Sequence, residues 1–354
     1  MPSSDPIVII KTAALGDVLR TTSIVPGLVL QGPHPIVWVT ATGAVPLLRH
    51  HPLIDVVETV DPRDVAGVTD LGRRLGALRP HWVLSFDDEA PLCGLASALP
   101  CQRLSGAHLT AAGERGYTAD VAPWFDMGLL SVHGKAAADR LKVVNTRSHP
   151  AIYAQMLGLP MGRPRLDLPP AALAFGAAFF QRHLGDRQPV IGLNTGAGGR
   201  WPTKGLPVER VVALMARLQK ELPASTAFLL LGGPEETERH RQIREGVAGS
   251  SLEASVVDGG NDNPLLDFAA MVDRCDLLIT SDSLALHLAI ARRVPLVAFF
   301  APTSAAEIET YGLGAKVQST APDYCSYRKD ADNSTLTAER LAAATLSVWE
   351  RHRP

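Results

Sequence analysis

Short apolar runs alternate with helix-length stretches along the chain. In the first half the runs Ile7–Ile10, Ile36–Thr40, Val56–Val60 and Trp82–Phe86 are rich in β-branched and aromatic residues, and each is followed by a stretch long enough for a helix. A short apolar run bounded by turn residues reads as a buried strand, and strands alternating with helices imply a parallel sheet with crossover connections. From Gly106 to Ser148 the pattern loosens, with Gly, His and Pro, and predicts loops over one edge. A helix over Pro150–Leu157 ends at Gly158, and the proline-rich LPMGRPRLDLPP of residues 159–170 reads as a linker.

A second series follows a helix over Ala171–His183. Its strands are Val190–Asn194, Ala227–Leu231, Ser255–Val257, Leu277–Thr280 and Leu296–Phe300. Helices are predicted over Val208–Leu222, Pro234–Ala248, Pro264–Cys275 and Leu284–Arg292, with a last one over Thr337–Arg351. No short-period repeat appears, which excludes a solenoid. The fold class is α/β: two Rossmann-like, doubly wound halves. The division is an N-terminal domain over 1–158, a hinge over 159–170, a C-terminal domain over 171–335, and a terminal helix over 336–354 that is a candidate to pack back on the N-terminal domain. Ligands of such sheets bind beyond the carboxyl ends of the strands, so chemistry is sought in the strand-exit loops.

Composition narrows the classes. With 46% hydrophobic and 20% charged residues the chain has the makeup of an ordered globular protein. A formal net charge of −2 gives no general attraction to nucleic acid or anionic lipid, so an anionic ligand must be held by local basic groups. The four cysteines, Cys93, Cys101, Cys275 and Cys325, form no CxxC pair, which argues for a reducing compartment and against a structural zinc site. No leader or membrane-length apolar run is present, and a cytoplasmic location is expected.

The strand exits carry the candidate chemistry. After the first strand, KTAALGD turns into a helix with a single glycine, Gly16, and an acid, Asp17, where a dinucleotide fold places three glycines. That excludes an ordinary nicotinamide site and leaves Asp17 as either a helix cap or a functional carboxylate. After Val190–Asn194, TGAGGRWPTKGLP supplies Thr195, flexible glycines, Arg200 and Lys204, materials that suit a diphosphate and would otherwise form a solvated loop. In LLLGGPEE, Glu235 opens a helix, either complementing its dipole or holding a ribose. In SDSLALHLAIA, Asp282 and Ser283 stand at a helix mouth with His287 on the same side as Ser283.

In order, KTAALGDVLRTTSIVPGL, TGAGGRWPTKGLP, LGGPEE, SDSLALHLAIARRVPLVAFFAPT and Tyr311-Gly312 resemble the heptosyltransferase family of bacterial glycosyltransferases, family nine, across nearly the whole chain. The resemblance implies a GT-B arrangement, with two Rossmann-like domains facing a cleft. It implies metal-independent, inverting transfer of a heptose-like sugar from a nucleotide diphosphate donor, ADP-heptose, to a lipopolysaccharide-core or related glycan. No cofactor is implied. The partners are the nucleotide sugar and a lipid-linked or oligosaccharide acceptor, not nucleic acid, with peripheral contact at the inner membrane face. By matched position Asp17 is the general base, Lys204 and Arg200 meet the diphosphate, Thr195 adds a hydroxyl, Glu235 holds the nucleoside sugar, and Asp282, Ser283 and His287 line the donor site. Two departures stand out: Leu284 occupies the position where the family usually has glycine, and the C-terminal loop keeps only Cys325. An epimerase that eliminates nucleotide, and a binding protein on the same scaffold, are the alternatives.

Overall fold

The computed structural model describes residues 5–196, 198–199 and 201–353. The chain forms two compact units that divide between Asp167 and Leu168.

In the N-terminal unit, strands β1 (Ile7–Ile10), β2 (Ile36–Thr40), β3 (Val56–Thr59), β4 (Trp82–Ser85), β5 (Arg103–Leu109) and β6 (Arg115–Tyr117) make one sheet in the order β3-β2-β1-β4-β5-β6. The first five are parallel and β6 turns back antiparallel on β5. Strands β1, β2 and β4 are buried along their whole length, and Val8, Ile10, Val37, Val39 and Val83 share one apolar cluster with Leu71, Leu75, Leu92 and Leu95 of the covering helices. Helices on both faces leave no polar side for such strands, so their sequence is a continuous apolar run rather than an alternation. The expectation of loops from Gly106 to Ser148 is corrected: β5, β6 and a helix over Lys135–Val144 occupy that region. Gly106 makes the β4–β5 pairing possible, because a side chain there would collide with the backbone of Ser85.

The C-terminal unit repeats the plan. Strands β7 (Val190–Asn194), β8 (Ala227–Leu230), β9 (Val256–Asp258), β10 (Leu277–Ser281), β11 (Leu296–Phe300) and β12 (Gly314–Gln318) form a parallel sheet ordered β12-β11-β10-β7-β8-β9. Strand β12 was not expected; its lysine and partial exposure at the edge hide it in the sequence. The last helix, Ala338–His352, buries Leu341, Ala342 and Val348 in the core that Val211, Leu214 and Phe299 also build, so its apolar stripe is used within its own unit.

The proline-rich segment divides its attachments. The Arg165 amide donates to Thr22 Oγ1 at 3.1 Å, inside the N-terminal unit. The helix Pro170–His183 packs Gly176 against Ala270 in the C-terminal unit. In each sheet the strand order reverses between two central neighbours, β1 with β4 and β7 with β10. The chain exits there leave a crevice at the carboxyl edge, where ligands of doubly wound sheets bind.

Candidate functional site

At the first reversal, β1 runs out through Lys11 and Thr12 into the helix Leu15–Thr21. Asp87, just past β4 and 6% exposed, receives this turn: the Thr12 amide and Lys11 Nζ donate to its carboxylate, and Thr12 Oγ1 does so at 2.7 Å. Trp38 Nε1 donates to the Lys11 carbonyl at 3.1 Å, fixing the turn from its other side. A buried carboxylate is tolerated here because charge and hydrogen bonds compensate its lost hydration.

Asp17 is the third residue of the helix that follows. Its cap position belongs to Ala14, which makes no side-chain capping bond, so Asp17 is not the cap. Its side chain is 40% exposed, and Nη2 of Arg20, whose side chain is only 8% exposed, donates to Asp17 Oδ1 at 2.6 Å. Tyr153, from the helix His149–Leu157, is fully buried beside this pair. Burial pushes its hydroxyl pKa far up, the Arg20 charge opposes that rise, and the Asp17 charge adds to it.

At the second reversal the exits of β7 and β10 converge. Asn194 Nδ2, ending β7, donates to Ser283 Oγ at 2.9 Å and to Thr280 Oγ1 at 3.2 Å. Ser281 Oγ, ending β10, donates to the Gly196 carbonyl at 2.7 Å. Ser283 is the N-cap residue of Leu284–Arg292 but makes no capping bond with its side chain, and His287 lies buried in the opening turns of that helix. Such a mouth offers backbone N–H groups and the positive end of the helix dipole.

Lys204 Nζ reaches this mouth, donating to Asp282 Oδ2 at 2.7 Å and to the Asp282 carbonyl at 2.9 Å. Thr303 Oγ1 donates to the same Asp282 oxygen at 2.8 Å. Burial alone would raise the Asp282 pKa. The Lys204 charge and hydrogen bond outweigh that, His287 and Thr303 add to them, and the carboxyl is held far below the usual carboxylate range.

The glycine loop is held by two neighbouring acids. The Gly198 amide donates to Glu236 Oε1 at 2.7 Å and the Gly233 amide to Glu236 Oε2 at 2.8 Å, while the Gly199 amide donates to Glu235. Glu236 is buried and Glu235 is not. Thr195 Oγ1 accepts from Arg239 Nη2 at 3.1 Å and Nε at 3.3 Å, which leaves its own proton to donate.

The C-terminal exits thus gather Thr195, Lys204, Glu235, Asp282, Ser283 and His287, and Asp17 stands at the corresponding exit of the N-terminal sheet. Arg200 lies outside the described residues. Sequence reasoning missed Asp87, Tyr153, Glu236 and Arg239. The first two act on partners far away in the chain. Glu236 sits beside the acid that was singled out, and only burial distinguishes the two.

The family model described as glycosyltransferase family 9 (heptosyltransferase) matches residues 107–337. No curated protein sequence matches the chain. Among solved structures, the glycosyl transferase family 9 from Veillonella parvula DSM 2008 is 22% identical with a TM-score of 0.78, over 99% of both chains. The E. coli ADP-heptose lps heptosyltransferase II is 19% identical, TM-score 0.69, over 99% of this chain and 100% of that one. E. coli heptosyltransferase WaaC with ADP is 19% identical, TM-score 0.57, over 98% and 97%. Identities this low speak for the fold.

Proposed function

We propose that this chain, which belongs to glycosyltransferase family 9 (heptosyltransferase), moves a heptose-like sugar from ADP-heptose to a hydroxyl of a lipopolysaccharide core or related glycan, with inversion. The observation that carries the reading is the convergence of the β7 and β10 exits with Lys204 on an uncapped helix mouth. An ammonium beside helix N–H groups is suited to a diphosphate. The choice of ADP-heptose leans on the name of the E. coli ADP-heptose lps heptosyltransferase II, and the choice of adenine nucleotide also on the ADP bound to E. coli WaaC.

In the proposed step, Asp17 takes the proton of the acceptor hydroxyl as that oxygen attacks the anomeric carbon. The bond from that carbon to the diphosphate oxygen breaks from the opposite face, and the electron pair leaves with ADP. Lys204, the mouth of Leu284–Arg292 and Arg200 meet the growing charge on the leaving group. Asp282, ion-paired with Lys204, positions the ammonium; His287 stands behind Asp282. Ser283 and Thr195 present hydroxyls to phosphate, and Glu235 takes the ribose. The 159–170 segment is the proposed hinge. Leu284, first in its helix, stands where the family usually has glycine; a side chain there obstructs the close approach of a donor to the protein backbone that glycine permits, so Leu284→Gly is expected to change donor discrimination.

No helix among the described residues is long and apolar enough to cross a membrane. A peripheral contact is proposed at the helix Lys135–Val144 and the segments flanking it, where Val143, Val144, Leu129 and Val132 are exposed, as are the basic Lys135, Arg140 and Arg147. Basic and apolar groups together suit an anionic lipid surface.

Incubation with ADP-heptose, with and without a lipopolysaccharide-core acceptor, tests the reading. ADP release that requires acceptor, with an inverted product linkage, is expected. Release without acceptor would indicate elimination or epimerisation, and no release from any nucleotide sugar would indicate a binding protein.

A further inference from the structure

We propose that Asp5, His34 and His81 form a site for a divalent transition-metal ion of the zinc class. It lies at the amino edge of the N-terminal sheet, opposite the edge that carries Asp17.

Topology brings these three together. Strands β2, β1 and β4 are adjacent and parallel, so the residues just ahead of each share one edge. Asp5 precedes β1, His34 precedes β2 and His81 precedes β4. Backbone bonds fix their spacing: the Asp5 amide to the Leu78 carbonyl at 3.0 Å, the Ile7 amide to the Pro35 carbonyl at 2.8 Å, and the His81 amide to the Pro6 carbonyl at 2.9 Å.

The side chains then converge. The two imidazoles stack with ring centres 3.9 Å apart and planes within 6°. Both turn Nδ1 toward one carboxylate: His34 Nδ1 lies 3.5 Å from Asp5 Oδ2, and His81 Nδ1 lies 3.9 Å from Asp5 Oδ1. One donor atom from each residue falls within 4.8 Å of the other two. Bonds of about 2.0–2.2 Å in a tetrahedron separate ligand atoms by roughly 3.3–3.5 Å, so the set closes when the imidazoles rotate out of their stack and turn their in-plane nitrogen lone pairs on one ion.

Two imidazoles and a carboxylate suit zinc, nickel or copper rather than calcium or magnesium, which prefer all-oxygen sites. The surroundings are prepared as well. Gln102 Nε2 donates to Asp5 Oδ1 at 3.1 Å and can hold the carboxylate after an ion enters. His34 Nδ1 contacts the Asp5 carbonyl at 2.9 Å and His81 Nδ1 the Gln102 amide oxygen at 3.1 Å. Each contact is a hydrogen bond that the ion replaces, with the ring proton moved to Nε2. The side chains are 16%, 34% and 40% exposed for His34, His81 and Asp5, so the position has a route to solvent and room for a water as fourth ligand.

Three residues far apart in sequence and free of cysteine give no motif. The ion ties the segment ahead of β1 to the strands on either side. It takes no part in sugar transfer.

The test uses untagged full-length protein stripped with chelator and titrated with zinc chloride alone by calorimetry and thermal shift. One saturable equivalent and a raised Tm are expected. His34→Gln and His81→Gln should each weaken binding by more than about 10-fold, the low end of what losing an outer-shell partner alone costs a metal site, while keeping the parent circular dichroism. Zinc absorption spectra of the loaded parent, with two imidazole scatterers expected, decide the matter even if a variant misfolds. Absence of a saturable equivalent, unchanged affinity in folded variants, or a spectrum without imidazole would each overturn the proposal.

Discussion

Lys204 Nζ stands 2.7 Å from Asp282 Oδ2, and the Asp282 backbone carbonyl accepts from the same nitrogen at 2.9 Å. The two residues belong to the exits of different strands, and their pairing places the ammonium at the mouth of Leu284–Arg292. Lys204→Ala is expected to weaken ADP binding by about 1.5–3 kcal/mol, the usual worth of a charge-assisted contact, and to leave adenosine binding unchanged. Titration calorimetry with both ligands checks this; equal ADP affinity in parent and variant would remove Lys204 from the phosphate site.

Asp282 also carries a pH signature. Its carboxyl is held below the ordinary range in the folded state, so its contribution to stability is complete above the unfolded pKa near 4. That contribution fades as pH falls from there toward the depressed folded value. Asp282→Asn is therefore expected to cost about 1–3 kcal/mol at pH 7, with the deficit shrinking below about pH 4. Urea unfolding at both pH values measures it. Equal stability at pH 7 would mean the pair contributes nothing.

Glu236 closes the glycine loop through the Gly198 and Gly233 amides. Glu236→Gln keeps the shape but swaps one acceptor oxygen for a donor facing an N–H. The expected result is a loss of about 1–3 kcal/mol and faster hydrogen exchange at those two glycines. Unchanged exchange would show that the loop is held by other means.

His51 gives the N-terminal unit its own acid sensitivity. Burial pushes this imidazole down to about 4, the Arg165 charge adds to the shift and the Asp167 charge opposes it. Its Nδ1 accepts from the Leu53 amide at 3.2 Å, and its Nε2 is buried without a hydrogen-bond partner among the described residues. The unfolded chain takes up the proton first, so stability is full above about pH 6.5 and falls as the pH drops toward 4, by on the order of 2 kcal/mol. Thermal unfolding of parent and His51→Gln between pH 7 and 4 should show a shallower slope in the variant. Parallel slopes would contradict it.

Most of the fold was legible because buried parallel strands write themselves as unbroken apolar runs: Ile7–Ile10, Ile36–Thr40, Val190–Asn194 and Leu296–Phe300 lie where the pattern puts them. One side of each sheet was not legible, while the opposite edge strands β3 and β9 were. Strands β5, β6 and β12 are partly exposed, and β5 and β12 depend on Gly106 and Gly314 approaching a neighbouring backbone, a requirement that leaves no periodicity. At the site, Asp17, Lys204 and Asp282 could be picked out because charged groups at strand exits are conspicuous. Asp87 and Glu236 could not, because their work is done on the amides of Thr12, Gly198 and Gly233, and an amide has no letter in the sequence.

In the proposed mechanism transfer turns on Asp17, and Ala14, not Asp17, holds the capping position of its helix. The most direct measurement is single-turnover transfer by Asp17→Asn, made alongside Tm on the same preparation. Asn keeps the shape and can still accept from Arg20, so the fold and ADP affinity should be nearly intact. The transfer rate should nevertheless fall by roughly 10²–10⁴-fold, the usual worth of a positioned proton acceptor. A folded Asn variant that transfers sugar at the parent rate would contradict the account.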